Sequence, residues 1–184
     1  MMRYLYIIEN RDGYRPDDRD ALLKTLRSVM RVANIRIASK HVEVEIWDPD
    51  PLAAGEILRR SLGEILDVIR IDEEIQRDRE DPVEIVVRYA ELFNEERFWE
   101  AHGVMEILWR SSNNRIAQGL ILAAASMIKI QENRAKEFRE LATRALEMLP
   151  GGRFFCIDLE DLRRKLLESL RSPGPFKISC ARWG

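Results

Sequence analysis

Three observations predict an α+β fold for this chain of 184 residues. Through residues 1–72, short apolar, β-branched runs alternate with stretches of helical spacing. A charged connector without apolar period follows over 73–81, and apolar side chains then recur at helical intervals from 82 to 171. Hydrophobic residues at 46% and charged residues at 34% allow a buried core and a solvated exterior.

The first unit is read from its order of elements. RYLYIIE (3–9) predicts a strand that ends at the turn signal NRDG. Asp17 or Asp18 caps a helix carrying Ala21, Leu22, Leu26, Val29 and Met30. NIRIASKHVEVEIW alternates with period two on both sides of Ser39-Lys40, which predicts a hairpin. In that register Ala38 faces His41, Ile37 faces Val42, Arg36 faces Glu43 and Ile35 faces Val44. Ile35, Ile37, Val42 and Val44 then share one face, while Arg36 opposes Glu43 on the other. Glu43 and Glu45 are expected to point outward, and His41, at the turn, to be exposed. Asp50 as N-cap and Pro51 at the first helical position open a second helix, and DVIRIDE (67–73) closes the unit as a fourth strand. The order β-α-β-β-α-β is that of a ferredoxin-like domain over 1–72.

RNA-binding domains share this topology, but they stack bases on aromatic rings of the open sheet face. Here that face would carry Glu43 and Glu45, which repel phosphate, and Tyr4 and Tyr6 are expected to pack into a core. Residues 1–72 carry a net charge of −1, 73–100 carry −6 and 101–184 carry +5, without a dense basic cluster. A nucleic-acid partner is therefore not expected.

The run Ile116–Ile130, interrupted by Gln118, Ser126 and Lys129, is shorter than the roughly 18 apolar residues that span a bilayer. The N-terminal stretch lacks the apolar length and cleavage site of a signal peptide, so a cytoplasmic protein without membrane association is expected. Cys156 and Cys180 form no C-x-x-C pair and are expected to be free thiols. The charged fraction points weakly to a thermophilic source.

Asp81-Pro82-Val83-Glu84 combines an N-cap, an N1 proline and an acidic first turn. Helices are predicted over 82–95, 97–110, 114–132, 134–148 and 158–170, a five-helix bundle. Pro150-Gly151-Gly152 breaks the fourth, and Asp158 caps the fifth. Residues 172–184 form a tail, of which 176–183 either pairs as an edge strand or lies over the surface.

The segment FWEAHGVMEILWR (98–110) carries the candidate site. On a helical wheel His102 and Glu106 lie side by side, about 40° apart, in the middle of an aromatic face made by Phe98, Trp99, Met105 and Trp109. Gln118 is the one polar residue early in the following apolar helix, and Gly119 beside it allows close helix approach. Three readings follow. His102 and Glu106 form a buried hydrogen-bonded pair that fixes packing. Alternatively, Phe98, Trp99, Met105 and Trp109 line a pocket for a small molecule or peptide, oriented by His102, Glu106 and Gln118. The third is a metal-dependent or acid–base hydrolase using His102 and Glu106. A zinc site wants at least three protein ligands and only two stand in register, so no metal ligands are assigned and no cofactor is named. A binding or scaffold role is the reading adopted, with catalysis left undecided. Ferredoxin-like units and apolar bundle faces often self-associate, which leaves a homodimer open.

Phe98-Trp99-Glu100-Ala101-His102, Glu106, Trp109-Arg110 and Gln118-Gly119 resemble a family of small all-helical proteins, domain of unknown function three hundred and nine. Its pattern is F-x-E-A-H-E-x-x-E-x-x-W, then Q-G and an alanine-rich helix. The resemblance runs over about residues 84–170, including the Leu149-Pro150 break and the helix start at Asp158, and leaves out the first 72 residues. It implies a compact helical bundle without an established activity. Gly103 stands where the family usually has Glu, which removes one carboxylate from any metal site the family might build.

Overall fold

The structure, a computed structural model, describes residues 2–47, 51–71 and 81–181. Contacts divide them into two compact units, one holding the sheet and its helices with Gln131–Asn133, the other holding the remaining helices and the tail. The N-cap expected at Asp50 and, apart from Asp81, the linker expected over 73–81 lie outside the described residues.

In the first unit the elements are β1 (Arg3–Glu9), α1 (Arg19–Arg27), β2 (Val32–Ile37), β3 (His41–Trp47), α2 (Pro51–Ser61) and β4 (Ile65–Arg70). The strands form one antiparallel sheet in the order β2-β3-β1-β4, the interleaved arrangement of a ferredoxin-like domain. The hairpin register is the expected one: Ile35 opposes Val44, Arg36 opposes Glu43 and Ile37 opposes Val42. The Ala38 N–H donates to the His41 carbonyl at 2.9 Å and closes the turn. Tyr6, Ile8, Ile35, Ile37, Val42, Val44 and Ile46 pack with Leu22, Leu23 and Leu26 of α1, with Ala54 and Leu58 of α2 and with Leu62 just after it, and Tyr4 lies at the edge of that core.

Two boundaries and one face differ from expectation. The α1 helix stops at Arg27, so Val29 is exposed rather than packed. Strand β4 starts at Ile65, two residues before the expected Asp67. The opposite face of the sheet is also not solvated: Glu43 and Glu45 are buried, and so is His41. Alternation of apolar and charged residues predicts inside against outside, whereas here the charged side of β3 is buried and held by ion pairs, with Glu43 Oε1 and His41 Nε2 left without a hydrogen bond among the described residues.

The second unit comprises α3 (Pro82–Asn94), α4 (Phe98–Ser112), α5 (Arg115–Gln131), α6 (Ala135–Met148) and α7 (Leu159–Arg171). Several ends have a visible cause. The Asp81 carboxylate accepts from the Val83 N–H at 2.9 Å, and the Asp158 carboxylate from the Asp161 N–H at 3.0 Å. Asn113, at φ 51°, ends α4 in the left-handed region, and the Asn114 side chain starts α5 by accepting from Ile116 N at 2.8 Å. At the far end of α6, Arg163 of α7 donates to the Leu146 and Leu149 carbonyls, groups that no helical N–H can reach.

Gly119 has a packing reason. A Cβ there would stand 2.9 Å from the Leu149 side chain, so the glycine lets α5 approach the end of α6. Tyr89 of α3 donates its hydroxyl to the Leu120 carbonyl at 2.8 Å, and burial pushes its phenol well above the ordinary range.

Cys156 and Cys180 are joined in a disulfide, which corrects the expectation of two free thiols. The two cysteines are 24 residues apart, and only the fold brings their Cα atoms to 4.5 Å. The tail pairs at an edge: β5 (Arg153–Phe154) and β6 (Ile157–Asp158) form a short hairpin, and Cys180 bridges to Ile157. No helix among the described residues is long and apolar enough to cross a membrane.

Candidate functional site

The α4 helix shows which way its faces point. Its buried residues are Phe98, Ala101, Val104, Met105 and Leu108, so the centre of the buried face falls near Ala101. His102 sits about 100° round the helix from Ala101, and Glu106 about 140°. The wheel drawn on the aromatic residues placed the pair at the centre; the structure places it on the shoulder. His102 and Glu106 are half-buried, and so are Trp99, Trp109 and, on α5, Gln118. Phe98 and Met105 belong wholly to the core. The indoles of Trp99 and Trp109 pack against that core from its rim.

Glu106 does not turn to the histidine. Its carboxylate accepts from Arg110 Nη2 at 3.2 Å, one turn further on, and the two side chains are 32% and 71% exposed. No hydrogen bond joins His102 to Glu106 among the described contacts, so the sealed pair expected from the sequence is not formed. Burial lowers the His102 pKa from its ordinary 6.5, with the Glu106 charge opposing part of that shift. The imidazole is accordingly neutral at pH 7 and offers one donor and one acceptor. Gly103 faces open space, with nothing within 4 Å of a Cβ built there. The glutamate that the resemblance would put there would therefore have pointed to solvent, not toward the core.

Chemically, the shoulder of α4 offers two indole faces, a neutral imidazole and a carboxylate already paired with an arginine. That set suits recognition of an apolar body with a polar handle. Among the described residues no group of three or more His, Cys, Asp and Glu side chains converges as metal ligands would.

A second feature had no sequence signal. A groove of ≈ 580 Å³ runs along the outer side of α3, lined by Val83, Glu84, Val87, Arg88, Glu91, Phe155 and Cys156. None of the seven residues singled out from the sequence lines it. On α3 the spacing 83, 87 and 91 marks a helical stripe, but Phe155 and Cys156 arrive from far along the chain, so the fold alone completes the wall.

The densest charge cluster also lies elsewhere, on the sheet face opposite α1 and α2. Arg36 donates to Glu43 at 2.5 Å and reaches Glu45 at 3.4 Å, and Arg3 donates Nε to Glu45 at 2.6 Å. Arg36 is 2% exposed and Glu43 0%. Burial, the largest single influence, would raise the Glu43 pKa, but the Arg36 charge and hydrogen bond together with the nearby His41 outweigh it and hold the carboxyl below its ordinary 4.5. His41 Nε2 lies 3.7 Å from the other Glu43 oxygen. The signal for this network was the cross-strand Arg36–Glu43 pairing, legible in the register but read there as a surface pair.

Comparison with known proteins is sparse. Residues 86–141, from within α3 to within α6, match a family model described as Domain of unknown function (DUF309). No curated protein and no solved structure matches the chain.

Proposed function

We propose that the helical unit is a binding or scaffold module that reads a small molecule or peptide with the shoulder of α4. The observation that carries this reading is the half-burial of His102 and Glu106 between Trp99 and Trp109. A sealed pair would serve packing alone, and a fully exposed pair would be satisfied by water. At the rim of the core, the two indoles supply apolar area and the imidazole supplies direction, and a ligand that covers them gains both.

The test is a titration of the full chain with a set of small aromatic amines and short capped peptides, read on the indole N–H signals in ¹H–¹⁵N spectra. The reading expects compounds that shift the Trp99 and Trp109 signals together with one Kd, and loss of that binding in Trp109→Ala. If every binder moves residues on another face, or none binds, the α4 shoulder is not a recognition surface.

A hydrolase using His102 and Glu106 is the alternative. Its cost is that Glu106 is engaged by Arg110, which leaves His102 as the one uncommitted polar group of the pair. Elemental analysis showing one zinc per chain, absent from His102→Ala, would move the assignment to that reading.

We take the protein to be cytoplasmic. Intracellular proteins that keep a disulfide such as Cys156–Cys180 are characteristic of hyperthermophiles, which agrees with the 34% of charged residues.

A further inference from the structure

Residues 172–181 form a strap that follows α7 and ends on the β5–β6 hairpin. Its hold is specific along its length. Phe176 packs on Phe93 with ring centroids 5.5 Å apart, and Ile178 is buried in the core of the unit. The Asn94 amide clamps the Ile178 backbone, accepting from its N–H at 2.7 Å and donating to its carbonyl at 3.0 Å. Beyond Ile178 the Ser179 hydroxyl donates to Asp161 of α7 at 3.0 Å, and the rest of the hold is on the hairpin edge. The Asp158 N–H donates to the Ser179 carbonyl at 3.1 Å, the Ala181 N–H donates to the Cys156 carbonyl at 3.0 Å, and the disulfide joins Cys180 to Cys156.

The turn that receives this bond is strained. Phe155, between β5 and Cys156, has φ 50°, a conformation that a bulky side chain adopts only when its surroundings enforce it. A two-residue hairpin with positive φ at its first central position ordinarily takes glycine there. Here an aromatic residue occupies it, partly exposed, and forms one wall of the groove along α3. The adjacent residue, Cys156, is the one that the disulfide anchors.

The two sulfurs differ in access. Cys156 is 3% exposed, whereas Cys180 is only partly buried. An external thiolate therefore reaches the Cys180 sulfur first.

We propose that the Cys156–Cys180 disulfide is a redox latch, which when reduced frees the end of the strap from the β6 edge and lets the Phe155 wall of the groove relax. The reductant is a vicinal dithiol. Its thiolate attacks the Cys180 sulfur, the S–S bond breaks, and Cys156 leaves as a thiolate that takes up a proton. The second thiol of the reductant then displaces Cys180 from the mixed disulfide. Two electrons and two protons pass to the protein, and the dithiol becomes a cyclic disulfide. Without the covalent tie, residues 179–181 are held by two backbone hydrogen bonds and the Ser179–Asp161 hydrogen bond, and segments held so lightly open locally. Relief of the strain at Phe155 pulls in the same direction.

The experiment compares amide exchange in the oxidised full chain, the same chain reduced with dithiothreitol to two titratable thiols, and the Cys156→Ser/Cys180→Ser variant. The Asp158 and Ala181 amides are expected to exchange about tenfold faster or more in the reduced chain and in the variant, with α4 and α5 unchanged. Oxidation of the reduced chain restores protection. Phe155→Gly, which removes the strain, is expected to show a smaller change on reduction than the parent. Unchanged protection after full reduction overturns the latch, as does a disulfide that dithiothreitol cannot open in the folded chain. Loss of protection across α3–α7 together also overturns it, because the bond is then a global staple. An equal response in Phe155→Gly removes strain from the mechanism.

Discussion

On the sheet, Arg36, Glu43 and Glu45 are joined by contacts of 2.5 and 3.4 Å and are almost without solvent; on α4, Glu106 and Arg110 are joined at 3.2 Å and largely wet. The two sites use the same residue types, yet the physics differs. Taking an ion out of water costs several kcal/mol unless a partner of opposite charge repays it. The sheet therefore needs its whole set, with Arg36 shared between two carboxylates and Arg3 completing Glu45. The α4 shoulder needs no such completion, because water solvates what the protein leaves unpaired. Buried, mutually paired charges specify structure, and partly wet ones at a rim leave room for a ligand.

The largest effect should come from breaking the buried set. Arg36→Met leaves Glu43 buried without its cation and is expected to cost about 3–5 kcal/mol in urea unfolding of the full chain. Arg36→Met/Glu43→Leu should recover most of that loss, since Glu45 keeps Arg3. Arg110→Met, by contrast, removes the partner of a half-wet carboxylate and should cost less than about 1 kcal/mol. Equal costs for Arg36→Met and Arg110→Met would erase the distinction between the sites.

Two glycines sharpen the same contrast between a sealed and an open side of the helical unit. Gly119→Ala forces a methyl to within 2.9 Å of Leu149 and should destabilise by about 1–3 kcal/mol. Gly103→Ala adds a methyl to open space within α4 and should stabilise by about 0.5–1 kcal/mol. A destabilising Gly103→Ala would mean that the shoulder is packed against something.

The backbone was largely legible in the sequence because its causes are local. Period-two alternation on both sides of Ser39-Lys40 determined the hairpin register, and Asp81 and Asp158 stand where side-chain caps start helices. What was misread depends on what lies across space. Glu43 and Glu45 alternate with valine and isoleucine whether their face meets water or a buried arginine, so periodicity cannot separate the two. On α4, large aromatic residues drew the wheel's centre toward Trp109 and Trp99, but close helix approach is marked by small residues, and Ala101 was the better guide. The disulfide joins residues 24 positions apart and the α3 groove brings Phe155 and Cys156 against a helix far back in the chain, with no spacing rule to announce either.

The finest test separates the two sites by pH. At Glu43 the folded pKa is held below 4.5, so its contribution is present above that value and is lost as pH falls through the folded pKa. At His102 the folded pKa is also depressed, but the group is a base, and the consequence begins at a higher pH. Between its folded pKa and the ordinary 6.5, the unfolded chain binds a proton that the folded chain refuses. Stability therefore falls with acid from about 6.5 downward, levels once the folded imidazole is protonated, and is unaffected by His102 above neutrality. His102→Gln should flatten the stability profile just below pH 6.5 and leave the carboxylate limb below 4.5 in place. If it instead lowers stability equally at every pH, His102 acts through packing, and the shoulder of α4 is as structural as the sheet. A bound ligand that accepts from the imidazole should produce the opposite shift, raising the His102 pKa toward 6.5 and shrinking the same slope without any mutation.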